Sequence, residues 1–279
     1  MKLLKNLMKE FTFVFGVSIF LLVLGIAFLS PLFINVDAET RIGMPYMPPS
    51  ADMWLGTDHL GIDMLSLIIE GLRASLYVGL LTGVIATLLG TFLGIYSGFV
   101  GGWVDEFINM ITNLFITIPY FIVLILISSA LKEGRSLELI AVIIGIHTWT
   151  WTARSVRAEA SSIKSSDHIN LAKLNGAGSI TIVFKHILPY LASYVFMVFI
   201  IQVVTGILME ATISMIGLGP YDSVSLGIIM ENAMKYEALG DGAWWAFIPA
   251  VILITFIAFS LYTLNTSLEG VFNPRLRKE

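Results

Sequence analysis

Long stretches without a charged side chain limit the folds that this chain can adopt. A helix rises 1.5 Å per residue, so about 20 apolar residues cross the ~30 Å hydrocarbon core of a membrane. Six segments contain no Asp, Glu, Lys or Arg and reach or approach that length: 11–36, 74–104, 107–131, 139–153, 187–209 and 242–268. The sequence therefore predicts an all-α membrane protein with six transmembrane helices.

The composition agrees with this prediction. Hydrophobic residues make up 57% of the 279 residues and charged residues only 13%, whereas about 25% of the residues in soluble domains are charged. This composition excludes a disordered chain, and the absence of cysteine excludes a disulfide-stapled scaffold. No repeat of fixed period and no low-complexity linker divides the sequence, so we expect one membrane domain.

The distribution of basic residues predicts the topology. Segment 139–153 has 15 uncharged residues and spans the membrane only if Glu138 and Arg154 reach the two interfaces. With six spans, all three basic clusters fall on one side, which then holds eleven basic and seven acidic residues. The clusters are Lys2, Lys5 and Lys9; Arg154, Arg157, Lys164, Lys173 and Lys185; and Arg275, Arg277 and Lys278. Because short cytoplasmic loops carry an excess of Lys and Arg, we predict that both termini are cytoplasmic.

The first apolar segment follows a basic start, as in a signal peptide. Its apolar part of about 20 residues exceeds the ~7–15 residues of a signal-peptide core, so we expect it to be retained as a helix. In the long outer loop that follows, prolines precede the run Trp-Leu-Gly-Thr-Asp-His-Leu-Gly-Ile-Asp at 54–63. We expect a short surface helix over 63–71.

The long cytoplasmic loop, 154–189, predicts two short helices. Ser166 or Asp167 is expected to cap the first helix, and Gly176 stands where a helix end requires a left-handed residue. Ser179 is expected to cap the second helix. The apolar stripe that this second helix is predicted to bury is Ile180, Val183, Phe184 and Ile187.

One run in this loop resembles a known signature. The run is Asn-Leu-Ala-Lys-Leu-Asn-Gly at 170–176, and Leu188-Pro189 begins twelve residues after its glycine. This pattern resembles the EAA signature of permease subunits of binding-protein-dependent ABC importers. Asn170 replaces the signature Glu, and Leu171 replaces its first Ala. In that family the loop is a coupling helix seated in a groove of the ATPase subunit. The resemblance implies that these residues contact the ATPase: Asp167, Asn170, Leu171, Ala172, Lys173, Gly176, Ala177, Leu188 and Pro189.

Other motifs, in the same order, are similar to those of the C-type permease of dipeptide, oligopeptide and nickel importers. The motifs are Gly56, Thr57, Asp58, Gly61 and Asp63 in the outer loop; 98–105; Glu210-Ala211 with Leu218-Gly219; and 273–277. Ile62 stands where that family usually has Arg. The resemblance covers about four fifths of the chain. It implies a type I importer fold with its coupling helix between helices four and five. It also implies an N-terminal helix and outer loop in 1–73, followed by a permease domain in 74–279. The permease domain contains the EAA-type loop at 157–189.

The resemblance implies an ATP-driven importer in a bacterial inner membrane. The expected partners are a homologous permease, two ATPase subunits, an extracytoplasmic binding protein and membrane lipid, without nucleic acid. No Lys follows a Gly, so the sequence has no P-loop. We therefore expect ATP and Mg²⁺ to bind to the partner subunits. We expect no cofactor and no catalytic residue in this chain. Peptides are the predicted cargo. The alternative is nickel or a metal–metallophore complex, since specificity resides largely in the binding protein. No metal site is expected within this chain, because its four His are scattered.

Polar side chains within the predicted spans are costly and mark candidate pathway residues. These are Asn109, Asn113, Gln202 and Glu210. The two asparagines could instead join neighbouring helices by hydrogen bonds, and Glu210 could line the passage, meet the binding protein or be solvated. Pro119 and Pro249 are expected to interrupt the third and sixth helices.

Two readings from other classes fit the sequence less well. A secondary transporter usually shows inverted repeats and charges in the middle of its spans, and this sequence has neither. An intramembrane serine protease would pair Ser97 with His147. Ser97 is predicted at the cytoplasmic end of the second span and His147 in the middle of the fourth, so their depths disagree.

Overall fold

The computed structural model describes residues 7–8, 10–130 and 135–272. Within these ranges it consists of helices and their connections, with no β-strand. The ten helices are α1 (Phe11–Leu29), α2 (Met64–Val100), α3 (Gly102–Thr117), α4 (Tyr120–Ala130), α5 (Leu137–Lys164), α6 (Asp167–Leu174), α7 (Ser179–Ile182), α8 (Leu188–Ile213), α9 (Leu226–Lys235) and α10 (Ile248–Phe272). The all-α class is confirmed. The terminal basic clusters and the motif at 273–277 lie outside the described residues.

The short helices α6 and α9 lie at opposite ends of α8, whose 26 residues extend over about 39 Å. We call these ends of the bundle the α6 end and the α9 end. At the α6 end, Lys164 Nζ donates to the carbonyl of Val100 at 3.4 Å. At the α9 end, Arg135 Nη1 donates to the carbonyl of Gly217 at 3.2 Å. Helix α5 therefore runs the full length of the bundle.

By length and composition, four helical stretches could cross a membrane: Phe11–Leu32, Met64–Val100, Ser179–Leu218 and Trp244–Gly270. Gly102–Thr117 and Tyr120–Ile127 make a fifth if this pair, bent by 75°, is one span. The bend lies at Pro119, as predicted. Helix α5 is not among these stretches, because its His, Thr, Trp and charged residues lower its hydropathy. The structure thus supports a multi-pass membrane protein, and the sixth crossing stays a prediction.

Two boundary predictions are wrong. The region predicted as a surface helix over 63–71 is the beginning of α2, whose cap Asp63 accepts from the amide of Ser66 at 2.9 Å. Glu70 and Arg73 lie inside this helix. A charged side chain ends an uncharged stretch of sequence, but it does not end a helix. Pro249 does not interrupt α10 either. It lies in the first turn, where a missing N–H breaks no helical hydrogen bond.

Helix α2 packs closely against α5 through small residues. Three glycines at four-residue spacing face α5: Gly90, Gly94 and Gly98. A Cβ added to Gly94 would lie 2.6 Å from the carbonyl oxygen of Ala153, and one added to Gly98 would lie 2.6 Å from that of Arg157. Such spacing of small residues lets two helix backbones approach each other in a membrane.

Candidate translocation pathway and docking loop

The loop at the α6 end contains the two predicted short helices. Helix α6 ends in a Schellman motif: Gly176 has φ +79°, its amide donates to Lys173 O, and the amide of Ala177 donates to Ala172 O, both at 3.0 Å. Ser166 precedes the helix as predicted but forms no side-chain cap, because its hydroxyl donates to the carbonyl of Ile163 at 2.5 Å.

The predicted apolar stripe of the second helix is confirmed at Val183 and Ile187, which pack in the buried cluster, and is wrong at Ile180 and Phe184. Ile180 is 77% exposed and Phe184 is 61% exposed, whereas Ile182 and Ile187 are buried. The reason is a π turn over Val183–Ile187, which widens the helical turn and brings positions five apart onto the buried face. The predicted Ser179 cap is also absent, since that residue is the first of α7.

Four large apolar side chains of this loop point away from the bundle. We call them the docking patch: Leu171, Leu174, Ile180 and Phe184. Leu174 is 83% exposed. On the opposite face of α6, Ile169 and Ala172 are buried in a cluster with Val156 and Ala160 of α5. Helix α6 is therefore held to the bundle by one apolar face and leaves a second one uncovered.

A groove of about 570 Å³ lies near the α6 end. In its wall, Arg157 forms a bidentate ion pair with Asp105, with Nε–Oδ1 and Nη2–Oδ2 distances of 2.5 Å. Asn109 Nδ2 donates to both the carbonyl and the carboxylate of Asp105, at 2.8 and 2.9 Å. Asn113 Oδ1 accepts from Arg154 Nη2 at 2.8 Å. Both predicted asparagines thus line a groove, and Asn113 also joins α3 to α5.

A second cavity, of about 400 Å³, lies near the middle of α5 and α8. We call it the central cavity. It is lined by Tyr120, His147, Thr148, Thr150, Trp151, Ile201, Gln202, Thr205 and Met209. Gln202 is 2% exposed, and its Nε2 donates to Thr148 O at 3.2 Å and to Thr152 Oγ1 at 2.8 Å.

Two oxygens in the wall of the central cavity lack a partner in the part of the chain that the structure describes. They are Oε1 of Gln202 and Oγ1 of Thr148, and both are buried. A buried polar atom without a hydrogen bond costs about 1–3 kcal/mol. Such atoms call for an explanation, and one is a ligand or partner that supplies the missing donor.

A cleft of about 870 Å³ lies at the α9 end and carries charges of both signs. Its charged residues are Glu39, Glu70, Arg73, Arg135, Glu138, Asp222, Glu231 and Lys235. An apolar cluster of Leu124, Ile140, Ile144 and Ile213 separates this cleft from the central cavity. Tyr120 and Met209 of the cavity wall pack against that cluster, and so does Leu218, whose neighbours in the sequence line the cleft.

Glu210 is fully buried, so in this structure it is neither solvated nor exposed to a passage or to a binding protein, contrary to its prediction as a pathway residue. Its Oε1 accepts from Ser214 at 2.7 Å and from Ser225 at 2.5 Å, and its Oε2 accepts from Ser75 at 3.3 Å. The amide of Leu226, the first residue of α9, donates to the Ser75 hydroxyl at 3.2 Å. This Glu210 network therefore joins α2, α8 and α9.

Sequence reasoning missed the three serines of this network. Serine occurs often in membrane helices, where it can hydrogen-bond the backbone of its own helix, so a lone Ser75 or Ser214 carries no signal. Ser225 had a detectable signal. It precedes an apolar helix as an N-cap, and its Oγ accepts from the amide of Ile228 at 3.2 Å.

The outer-loop motif organises the connection that packs on α9. Thr57 is fully buried, and its carbonyl accepts from Trp245 Nε1 at 3.1 Å. Gly56 and Gly61 adopt φ of +64° and +82°, which favours glycine at both positions. Asp63 is the cap of α2. The motif thus has a structural role, in holding this loop against the bundle.

Asp58 fixes a turn within the same motif. Its Oδ1 accepts from the amides of Leu60 at 2.8 Å and Ile62 at 2.9 Å, and its Oδ2 lies 3.2 Å from His59 Nδ1. Burial raises the pKa of Asp58, but the hydrogen bonds from His59 and the two amides outweigh burial and hold the pKa below its usual range. The ionised carboxylate therefore stabilises the turn.

These features define a class: an all-α, multi-pass membrane component with cavities along its helices and a loop with exposed apolar side chains at one end. Comparison with known proteins gives the family. Residues 90–278 match the family model of the binding-protein-dependent transport system inner membrane component. The chain belongs to this family, whose members are membrane components of transporters.

Curated relatives match nearly the whole chain. It is 29% identical over 277 residues to a putative peptide transport system permease of Brucella abortus, covering 99% of this chain and 92% of the relative. It is 31% identical over 266 residues to the oligopeptide permease OppC of Bacillus subtilis, covering 94% and 85%. It is 28% identical over 267 residues to the dipeptide permease DppC of the same organism, covering 94% and 81%.

Proposed function

We propose that this chain is one of two permease subunits of an ATP-driven bacterial importer, and that its cargo is peptide delivered by an extracytoplasmic binding protein. The observation that carries the proposal is the similarity over nearly the whole chain to permeases named for peptides, oligopeptides and dipeptides. The docking patch supports it, because its exposed apolar side chains offer a contact for an energy source.

The docking patch supports an ATPase partner at the α6 end. Exposed apolar side chains that cluster on one loop mark a protein contact, since they gain free energy when a partner removes them from water. Uphill import needs energy, and the chain has no P-loop of its own. We infer that closure of two ATPase subunits pushes on 167–178 and that α6 transmits this motion to α5 through its buried face.

The arrangement of charge supports the orientation of the proposed importer. The α6 end carries basic loop residues such as Lys173 and Lys185, as cytoplasmic loops do. The cleft at the α9 end contains five acidic and three basic side chains. In this proposal, the α9 end faces outward and offers its cleft and outer loop to the binding protein.

A reconstituted transporter tests the ATPase contact. The complex contains this chain, its partner permease, both ATPases and the binding protein in proteoliposomes, and the variant is Leu174→Asp. We expect uptake to fall at least about tenfold, because a charge in a buried apolar contact is poorly tolerated. The matched control is Ser162→Asp, which adds the same charge at an exposed position near the end of α5. Equal uptake by Leu174→Asp and wild type would refute the contact.

The same proteoliposomes test the cargo. Binding-protein-stimulated ATP hydrolysis is measured with a dipeptide, a longer peptide and a nickel chelate. Stimulation by either peptide, and not by the chelate, is the expected result. Stimulation by the chelate alone would overturn the peptide assignment and keep the importer architecture.

A further inference from the structure

Helix α3 has a point of backbone freedom at each end. It follows Gly101 and begins at Gly102, whose φ angles are +75° and +59°, and a Cβ added to Gly102 would meet no atom within 4 Å. At the other end, the 75° bend at Pro119 separates it from α4. Glycine adopts more backbone conformations than other residues, and proline donates no backbone hydrogen bond. The chain can therefore change direction at both ends of α3 while the helix between them stays intact.

Helix α3 buries little surface against the rest of the bundle. Its buried side chains are Val104, Ile108 and Thr112. Its exposed apolar side chains are more numerous: Trp103, Phe107, Met110, Leu114 and Ile116. Close packing of side chains is what holds helices together in a membrane. Because little such packing fixes α3, its position depends more on its polar contacts.

Polar side chains hold α3 against its neighbours at two levels. At the first, Arg157 of α5 forms the bidentate pair with Asp105, and Ser97 of α2 donates to the same carboxylate. At the second, about two turns along α3, Arg154 donates to Asn113 at 2.8 Å. The Arg157 side chain is 36% exposed and the Asp105 side chain 19%. Water that reaches an ion pair can replace its partners at little cost, so these contacts can be broken and remade.

The contact between α2 and α5 is of the opposite kind. Gly94 and Gly98 bring the two backbones so close that an added Cβ would lie 2.6 Å from a carbonyl oxygen of α5. Separation of such an interface removes dispersion contacts and gives nothing in return. Movement at the α6 end therefore costs less between α3 and the α2–α5 pair than within that pair.

The attachment of α3 lies beside the attachment of the docking loop. Val156 and Ala160 of α5 share a buried cluster with Ile169 and Ala172 of α6. Arg157 directly follows Val156, so one turn of α5 contacts α6 through its apolar side chains and α3 through its guanidinium group. A displacement of α6 thus moves the part of α5 to which α3 is attached.

We propose that α3 is a hinged arm, which pivots at Gly101–Gly102 and at Pro119 and is held against α5 by Arg154 and Arg157 until displacement of α6 releases it. Release widens the groove of about 570 Å³ at the α6 end, since residues of α3 and Arg157 form its walls. This inference rests on the proposed ATP-driven import, and it names the part of this chain that moves when the ATPases close.

A reversible cross-link tests whether α3 must move. The chain has no cysteine, so Asn113→Cys with Arg154→Cys supplies two thiols, and the partner subunits carry no accessible cysteine. A bis-methanethiosulfonate reagent joins the thiols in the complete complex, and intact mass measures the yield. We expect the cross-link to lower peptide uptake at least about tenfold, and a reducing agent to restore it.

The matched control is a cross-link within the pair of helices that stays together. Lys164 Nζ donates to the carbonyl of Val100 at 3.4 Å, so Val100→Cys with Lys164→Cys joins α2 to α5 at the same end of the bundle. Uptake by this cross-linked complex should equal uptake by its reduced form.

A pair of glycine variants tests the first pivot without altering the contacts between α3 and α5. Gly102→Ala restricts the backbone at the beginning of α3. Gly242→Ala is the control, because Gly242 also has a positive φ, +76°, and open space around its Cα. Both variants place an Ala in a strained conformation at a similar cost. We expect similar melting temperatures, and uptake at least about fivefold lower for Gly102→Ala than for Gly242→Ala.

The outcomes separate this inference from the proposed function. Peptide uptake that the cross-link between positions 113 and 154 leaves unchanged overturns the inference, and the importer assignment stands. Loss of uptake with the control cross-link as well would assign the movement to α2 and α5 and also overturn it. Equal uptake by the two glycine variants overturns the pivot at Gly101–Gly102. Absence of peptide uptake by the intact wild-type complex overturns the proposed function, and the inference with it.

Discussion

The two ends of the bundle are built in opposite ways. At the α9 end, fully buried Glu210 gathers three serine hydroxyls and ties α9 to α2 and α8. At the α6 end, α6 is held by the buried side chains of Ile169 and Ala172, while the docking patch remains exposed. One end joins its helices through hydrogen bonds to a buried carboxylate, and the other end exposes apolar side chains.

This difference indicates how the ends act. Hydrogen bonds to a buried charged or polar group fix geometry, so α9 and the ends of α2 and α8 are expected to move as one unit. Apolar surface exposed outside a membrane favours association. In the proposed importer, we therefore expect the α6 end to receive a partner and the α9 end to present a preformed surface. Variants that weaken either end test this contrast.

Removal of Glu210 should have the largest effect, because it breaks the rigid end. Glu210→Ala leaves three buried hydroxyls without their acceptor, and we expect it to lower the free energy of unfolding by about 3–5 kcal/mol. Glu210→Gln keeps an acceptor and should cost less. Thermal unfolding of the purified permease pair measures both variants, with exposed Asp52→Ala as the control. A loss no greater than that of Asp52→Ala would show that the network does not hold this end together.

Packing of α2 on α5 connects the two ends, and Gly94→Ala should disturb it. The added Cβ would lie 2.6 Å from the carbonyl of Ala153, so the helices must separate, at a cost of about 1–3 kcal/mol. Gly25→Ala is the matched control in α1. Its Cβ meets no atom closer than 4.0 Å, so helix propensity should raise the stability by about 0.5–1 kcal/mol. Chemical denaturation should give shifts of opposite sign, and shifts of the same sign would contradict the packing.

The ion pair at the α6 end should contribute less than the Glu210 network. Asp105→Asn removes the bidentate contact with Arg157, and we expect a loss of about 1–2 kcal/mol, because the pair is partly exposed and screened by solvent. Glu106→Gln, at the exposed neighbouring position, is the control. If Asp105→Asn matched Glu210→Ala in unfolding experiments, the contrast between the ends would be wrong.

The smallest effect concerns pH at the outer-loop turn. The folded pKa of Asp58 is lowered, so its contribution to stability is present above the unfolded pKa of about 3.9 and is lost as the pH falls through the folded pKa. Amide exchange in 58–63, corrected for intrinsic rates, should accelerate below about pH 4. Asp58→Asn should show fast exchange with no such pH dependence. A wild-type turn that stays equally protected down to pH 2 would contradict this role.

Sequence patterns predicted the features that depend on local chemistry. The helix end at Gly176 and the break at Pro119 follow from the backbone preferences of single residues, and both are present. The stripe of Ile180 and Phe184 failed, because a π turn changes which positions share a face. The Glu210 network was also inaccessible, since its serines come from distant parts of the chain and meet only after the helices have packed.

The most direct test of the contrast between the ends is hydrogen–deuterium exchange of the permease pair, with and without the two ATPase subunits. We expect the ATPases to protect 167–190, which contains α6, α7 and the docking patch, and to leave 210–246 unchanged. Protection confined to 210–246, or no added protection at 167–190 in an intact complex, would contradict it.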